Sequence, residues 1–320
     1  MTTYNRRLHN KHMHIYILRR LGLLIPVLLG VMFIIFTLNY ITPGDPARLM
    51  LGEQAEQWQI DQLREEMGLN DTYIVRLGNF FLDTFKLDFG RSLNSRRPVI
   101  DEITARFPTT IHLAAMSVLF AVVLGIPLGM ISAIKQYSLF DNTVTIIGLI
   151  GVSIPNFWQG LMLALLFSVF LGWLPPTGWS SPLNWIMPIL TLSSTSLAVI
   201  MRFTRSSMLE VIRQDYIRTA RAKGLTEFTI ITKHALKNAL IPVITVVGLQ
   251  FGFLMGGAIV TEQIFAIPGL GNFMITSITM RDYPIIQGGV LLIAFTFSII
   301  NLAVDILYAY IDPRIRSQYN

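Results

Sequence analysis

Few side chains in this sequence are placed to do bond chemistry. No G-x-x-x-x-G-K-[ST] loop occurs, nor any Gly-Lys pair, so the chain lacks that device for cradling a nucleotide. H-E-x-x-H and G-x-S-x-G are also missing, which leaves neither a zinc-protease helix nor a nucleophile elbow. There is no cysteine, hence no disulfide framework and no thiolate ligand. Among the five histidines, His9, His12 and His14 sit in a basic N-terminal stretch and read as a solvated flank, not a metal site. His112 reads as a hydrogen-bonded polar group in the first turns of an apolar segment. Catalysis and a resident metal or cofactor are therefore not expected. What remains is a set of carboxylates, glycines and one basic loop whose use depends on where the chain puts them.

The elements that must position them are membrane helices. Of the 320 residues 52% are hydrophobic and 14% charged, whereas a soluble domain carries about a quarter charged residues. Crossing ~30 Å of hydrocarbon takes about 20 residues with few or no charges. Five windows lack Asp, Glu, Lys and Arg altogether: Leu21–Thr42, Phe107–Ile134, Asn142–Met201, Asn238–Thr261 and Tyr283–Val304. The third is too long for one span and carries turn formers from Leu174 to Pro182, so it divides into spans near 143–171 and 185–201. The sequence thus predicts an all-α integral membrane protein with six transmembrane helices.

Basic residues near span ends are retained on the cytosolic side. An N-terminus inside places Arg6, Arg7, Lys11, Arg19, Arg20 and Lys135 in the cytosol, with eight more basic residues between Arg202 and Lys237 and then Arg314 and Arg316. The opposite side receives the 43–106 segment, with eight basic and eleven acidic residues, and a 262–282 loop whose only base is Arg281. The net charge of +6 is then a topology signal beside anionic lipid, not a nucleic-acid footprint. The expected organisation is a cytosolic tail with the first span (1–42), an extracytoplasmic helical segment (43–106), a membrane core (107–309) and a cytosolic tail (310–320). Within 43–106, residues 61–68 read as a short helix ended by glycine. Ile74, Leu77, Phe81 and Phe85 then make an apolar helical face for the membrane interface or the bundle.

Against this frame the carboxylates and glycines take on meaning. An ion-coupled carrier buries ionisable groups at mid-membrane, and these spans are nearly free of them. Asp305 lies just inside the cytosolic end of the last span, within reach of water or a basic neighbour. Glu262 closes the outer end of the fifth span, as an outer gate or as a solvated helix end. Gly248, Gly252 and Gly256 recur every four residues on that span, with Gly257 beside them, and Gly125 with Gly129 repeats the spacing on the second. Such small-residue stripes let helix backbones approach closely in lipid.

The most informative stretch is the cytosolic loop 202–237, 36 residues long, beyond the usual length of a connector. It contains Asp215-Tyr216-Ile-Arg218-Thr219-Ala220-Arg221-Ala222-Lys223-Gly224. Asp215 or a neighbour can start a short helix, Ala220 and Ala222 keep its surface low, and Gly224 can end it in a left-handed conformation. A second helix is expected from Thr226 through Ala239 into the fifth span. The result is either a basic knob that inserts into a groove on a partner, alanines at the contact, or a loop that merely fixes topology.

This loop resembles the coupling region of ABC importer permeases, whose pattern is an E-A-A triplet, three residues, a glycine and a later I-x-L-P. Here Arg218-Thr219-Ala220 and Gly224, followed by His234-Ala-Leu-Lys237, match the form found in the dipeptide, oligopeptide and nickel branch. Also similar to its first-permease members are Arg19-Arg20-Leu-Gly, Pro43-Gly-Asp-Pro46, Asp88-Phe-Gly-Arg-Ser-Leu93, Phe203-Thr-Arg-Ser-Ser-Met-Leu-Glu-Val211, Pro268-Gly-Leu-Gly271, Arg281-Asp-Tyr-Pro-Ile-Ile-Gln-Gly-Gly289 and Asp312-Pro-Arg-Ile-Arg316. The resemblance spans about residues 14–316. It implies a type I importer permease fold in a bacterial inner membrane, paired with a homologous permease and two cytosolic ATPase subunits that bind ATP and magnesium. A solute-binding protein would deliver substrate, and residues 215–224 would be the coupling helix. Peptides are favoured over nickel chelates, since the spans offer no thiolate and no Asp/His cluster; glutathione is handled by the same branch. A channel would need a filter-like ring and a secondary carrier mid-membrane ion sites, and neither pattern is present.

Overall fold

The computed structural model describes residues 3–52 and 54–311, with side chains described within 20–307. The side chains of Arg6, Arg7, Lys11 and Arg19, the three N-terminal histidines and the 312–316 motif with Arg314 and Arg316 lie outside that range.

All the regular structure among the described residues is helical apart from one isolated bridge between Arg91 and Pro98. Helix α1 (Thr3–Ile41) leads into three short helices, α2 (Pro46–Leu51), α3 (Gln57–Glu66) and α4 (Tyr73–Phe85). Asp45 caps α2 by accepting from the Ala47 N–H, and Pro46 occupies the first helical position, where no amide donor is needed. After α3, Gly68 takes a positive φ of 62°, as expected of a glycine that stops a helix. Helix α4 packs on α1 through Tyr73 and Phe80, whose rings lie 5.6 and 5.3 Å from Phe36. The stripe read from the sequence points elsewhere, leaving Ile74 and Phe85 exposed.

The core follows as α5 (Val99–Ile134), α6 (Leu139–Ser153), α7 (Asn156–Ala164, continued by a π-helical turn to Phe170), α8 (Pro182–Ile212), α9 (Asp215–Ala222), α10 (Glu227–Thr229), a π-helical turn Ile230–Ala235, α11 (Leu236–Ile264), α12 (Leu270–Thr279) and α13 (Tyr283–Ile311). Five helical stretches are long and apolar enough to cross a membrane: Arg20–Ile41, Val99–Ile134, Pro182–Ile212, Glu227–Ile264 and Tyr283–Leu307. The second begins at Val99, ahead of the charge-free window. Its first turns carry Asp101, Glu102 and Arg106, with Arg106 2.6 Å from Glu102 and its guanidinium stacked on Phe273 of α12. Charges tied up in this way at a helix end need not enter hydrocarbon.

The expected span at 143–171 is two helices, α6 and α7, bent by 101° at Ile154-Pro155. Its contacts show that it crosses instead of turning back. Asp141 meets Arg205, Gln159 accepts from Ser194 at 2.7 Å, and the Ser168 hydroxyl lies 3.8 Å from the Met187 sulfur, so the pair climbs steadily along α8. At the far end the Gly178 N–H donates to the Phe265 carbonyl at 2.8 Å. The bend occurs where Pro155 removes an amide donor, and Asn156 and Gln159 just after it bond to Thr195 and Ser194. With this pair counted as one, the bundle has six spans.

Helices α5, α8 and α11 form its centre, joined by Leu113, Met187, Leu192, Leu254, Met255 and Phe265. Glycines set the α5–α8 distance: a Cβ on Gly125 would stand 3.1 Å from the Leu197 carbonyl, and one on Gly129 would press into Thr204 at 2.8 Å. Ser117, Thr191 and Thr204 are fully buried and donate to carbonyls four residues earlier, so these three hydroxyls are satisfied within their own helices, whereas the buried Thr245 hydroxyl of α11 has no partner.

Candidate functional site

At the end of the bundle opposite the 43–98 segment, α9 runs from Asp215 to Ala222 behind an extended Gln214, with Lys223 as its cap. Gly224 then has φ of 75° and nothing within 4 Å of a built Cβ, so the glycine serves backbone conformation and not space. Both agree with the sequence reading. The loop around it is shorter than expected, because α8 continues to Ile212 and the next helix resumes at Glu227. The stretch from Glu227 to Ile264 is 38 residues, and at 1.5 Å per residue it is far longer than a ~30 Å hydrocarbon layer, so its first turns, with Lys233, His234 and Lys237, project with α9.

One face of α9 is welded to the spans. Ile217 and Ala220 pack on Ala133 at the end of α5, Met208 of α8, Ile230, Ile231 and Ala235 of the π-helical turn and Ala239 of α11. Ala220 is only 8% exposed. This corrects the expectation that Ala220 offers a low surface to a partner: it faces the bundle, because the apolar pair 217 and 220 shares one helix face. Polar bonds brace the same knob. Asn238 donates to the Tyr216 hydroxyl at 2.8 Å, and Arg221 meets Glu227 through two contacts of 2.6 and 3.3 Å. Asp215, Arg218, Thr219, Ala222 and Lys223 point to solvent, with Arg218 within 3.7 Å of Asp215. Beside them stands Phe228, 78% exposed, with Leu225. The sequence reading missed Phe228, although its place off the Ile230–Ile231–Ala235 stripe was a legible signal.

The knob is thus a rigid extension of several spans, carrying a basic and aromatic outer surface and no reactive constellation. Two family models match the chain, one described as binding-protein-dependent transport system inner membrane component over residues 125–317 and its N-terminal counterpart over 13–114. The chain belongs to this permease family. The dipeptide transport system permease protein of Alkalihalophilus pseudofirmus is 45% identical, the match covering 94% of this chain and 99% of the relative. The glutathione transport system permease protein of Escherichia coli strain K12 is also 45% identical, over 94% of this chain and 98% of its own. Among solved structures, an inward-facing form of the MetNI methionine ABC transporter aligns with a TM-score of 0.55 and 20% identity over 67% of this chain and 97% of that one. An amino acid ABC transporter aligns with a TM-score of 0.51 and 16% identity, covering 67% and 94%. The fold is that of type I ABC importer permeases, and the sequence resemblance to the peptide branch is correct.

The other residues singled out in this permease fall in separate places. On α11, a Cβ on Gly252 would overlap the Phe297 ring and one on Gly248 the Val304 side chain, so both glycines make room for α13 side chains to lie on the α11 backbone. Gly257 faces Leu192, whereas Gly256 is exposed with nothing within 4 Å. Glu262 is not a solvated helix end; it is fully buried. Thr110 donates to one of its oxygens and the Asn272 N–H to the other at 2.9 Å, while the Leu270 N–H donates to Thr110 at 2.8 Å. Asp305 finds Arg20 of α1 at 2.9 Å.

Besides Glu102, two buried carboxylates escaped the sequence reading. Asp141 opens α6 and takes both arms of the Arg205 guanidinium at 2.7 Å, the Ser132 hydroxyl and the Tyr137 N–H. It therefore ties the α9-side ends of α5, α6 and α8 together. At the other end Asp282 accepts from the Ser92 hydroxyl, the Leu93 N–H at 3.1 Å and the Asn94 side-chain amide at 3.2 Å. It holds the turn before α5 against the turn before α13.

Proposed function

We propose that this chain is a permease subunit of an ATP-driven importer of small peptides, and that α9 is the element through which nucleotide-driven motion reaches the membrane. The observation that carries the reading is the two-sided character of the α9 knob: one face of α9 is fused to α5, α8 and α11, and the outer side carries Tyr216, Arg218 and the capping Lys223 outward, with Phe228 of α10 exposed next in the chain. Such a helix passes a push at its surface directly to the spans. A partner with a groove lined by carboxylates and apolar groups suits it, with Phe228 as the buried anchor. ATP and magnesium are then held by two separate cytosolic ATPase chains. A homologous second permease completes the pathway, and an extracytoplasmic binding protein presents the solute. The permease itself contributes differences in affinity between conformations.

Peptide import draws support from the dipeptide permease relative. The glutathione permease relatives have the same identity, and glutathione is itself a tripeptide, so small peptides are the common chemical class. The orientation puts α9 and both termini in the cytosol, in a bacterial inner membrane, with 43–98 outside. Single cysteines in this cysteine-free chain test it. Gln62→Cys, on the exposed side of α3, is expected to react with an impermeant thiol reagent in intact cells, and Lys135→Cys only after permeabilisation. The reverse pattern removes the orientation. Ser92 is unsuitable for such labelling because it is buried against Asp282.

The deciding experiment alters only the outer surface of the knob, one residue on α9 and one on α10. Arg218→Glu combined with Phe228→Ala is expected to cut substrate-stimulated ATP hydrolysis of the reconstituted assembly by about tenfold or more, on the scale of losing an interface anchor. Permease stability should change by no more than about 0.5 kcal/mol, as for other surface substitutions. Ala220→Trp is the contrasting variant: it overfills an inward site and should cost stability, about 1–3 kcal/mol. Wild-type uptake and hydrolysis by the outer-face double variant would sink the coupling assignment.

A further inference from the structure

Where α1 leaves the bilayer, its last turn, the 42–46 loop and helices α3 and α4 enclose a half-open cleft of about 160 Å³, lined in part by Tyr40, Thr42, Asp45, Arg64, Arg76 and Tyr283. Its charges do not cancel. Asp45 is taken by Arg64 at 3.2 Å, and among the described residues it is the only carboxylate on the wall. Arg76 is left over: its guanidinium rests 5.1 Å above the Tyr40 ring and makes a single long hydrogen bond, 3.5 Å, to the Leu69 carbonyl. Most of its N–H donors are uncommitted. Arg281, from the turn before α13, reaches the back of the same loop at Gly44.

The cleft's depth and size restrict what fits. Tyr40 belongs to the last turn of the apolar stretch Arg20–Ile41, so the cleft lies at the membrane–water boundary, where tyrosine and arginine concentrate. The same turn of α1 exposes Leu38 and Ile41, a surface along which an acyl chain can lie. The volume is below the ~300–1,000 Å³ of pockets for drug-sized ligands, which suits one anionic head group and not a peptide. Guanidinium offers paired donors that match phosphate oxygens.

We propose that this cleft binds the phosphodiester of a phospholipid in the leaflet at this end of the bundle, with Arg76 as the cation and the Tyr40 hydroxyl as a further donor. On the orientation proposed above this is the outer leaflet. A lipid held there would pin the α3–α4 segment to the membrane surface beside α1. The site depends on the membrane placement of α1 and not on what the permease transports.

The test uses the full-length permease purified in mild detergent and exposed to micelles doped with phosphatidylglycerol, with bound lipid counted by native mass spectrometry. Wild type is expected to retain one phosphatidylglycerol per chain beyond the loosely held lipids. Arg76→Gln should lower that fraction about tenfold, as for loss of a charge-assisted contact. Thr42→Glu, at an exposed rim position, should do the same by bringing a negative charge to the mouth without touching Arg76, and it keeps the test open if Arg76→Gln fails to fold. Gln62→Ala, away from the cleft, should retain the lipid. Wild-type retention by both cleft variants overturns the proposal. So does retention of inorganic phosphate without lipid in a parallel sample, which would make the ligand a soluble anion. Because no ATPase is present, failure of the import reading leaves this result untouched.

Discussion

Asp141→Ala is expected to destabilise the permease by about 3 kcal/mol, at the low end of the ~3–5 kcal/mol typical for breaking one side of a buried ion pair. Asp141 is 2% exposed, while the Arg205 side chain retains 27% of its exposure. The stranded guanidinium can thus recover part of its solvation, which keeps the loss from the top of the range. The carboxylate does more than neutralise Arg205. It also accepts from Ser132 and from the Tyr137 N–H, at a residue held in the left-handed region with φ of 63°. Without it the α5–α6 turn loses the acceptor that organises it. Asp141→Asn should fall between, since the amide oxygen still accepts from one partner but the charge is gone. The double variant Asp141→Ala/Arg205→Met should recover much of the loss, because it removes the orphaned charge and fills the space with apolar atoms. Melting of the detergent-purified permease, followed by tryptophan fluorescence, reads all four proteins. If Asp141→Ala melts with wild type, the bolt between α5, α6 and α8 is not structural.

Asp141 also shows where reading the sequence stops working. A charge-free window located the membrane core well, because hydrocarbon excludes unpaired charge. The same criterion placed Asp141 one residue outside Asn142–Met201 and so filed it with a loop. A pair 64 residues apart in the chain, Asp141 with Arg205, leaves no local trace in composition. The start of α5 at Val99 was hidden for a related reason: Asp101, Glu102 and Arg106 look like loop residues until their partners are known. Helix α9 was legible because its signals are local, an acidic first turn and a glycine in the left-handed region. Which way Ala220 faces was not, since that depends on Met208 and Ile230 brought in from other helices. The glycine stripe failed in part for a geometric reason. A step of four residues advances about 40° beyond a full turn, so Gly248 and Gly252 meet α13 while Gly256 has drifted to the open side.

Glu262→Ala is expected to loosen the end of the bundle opposite α9 by about 2–6 kcal/mol, from a buried and a part-buried donor each left unpaired at ~1–3 kcal/mol. The carboxylate fills the space between the last turn of α11 and the Pro268-Gly269-Leu270-Gly271 turn. A built Cβ on Gly269 would strike it, so this glycine is small because Glu262 occupies its side-chain space, while one on Gly271 would come within 3.0 Å of it and meet the Ile259 Cα at 2.5 Å. Its two oxygens serve different donors, Thr110 from α5 and the Asn272 N–H in the first turn of α12, and Thr110 in turn accepts from the Leu270 N–H. Removing the side chain unties the start of α12 from the end of α11 and leaves the Leu270–Thr110 hydrogen bond as its remaining polar tie to α5. Glu262→Gln should cost less, because the amide oxygen still accepts and Thr110 can accept from the new amide N–H as well as from Leu270. Thr110→Val should reproduce part of the alanine effect, and Thr110→Val with Glu262→Ala should cost less than the sum, since both remove the same bridge. A double-mutant cycle on melting in detergent measures that coupling. Additive losses would mean that Glu262 and Thr110 act separately, and the buried carboxylate would then need another explanation. Non-additive loss of stability accompanied by unchanged uptake in the mildest variant, Glu262→Gln, would place Glu262 as the anchor of the α12 turn and leave the gate reading without support.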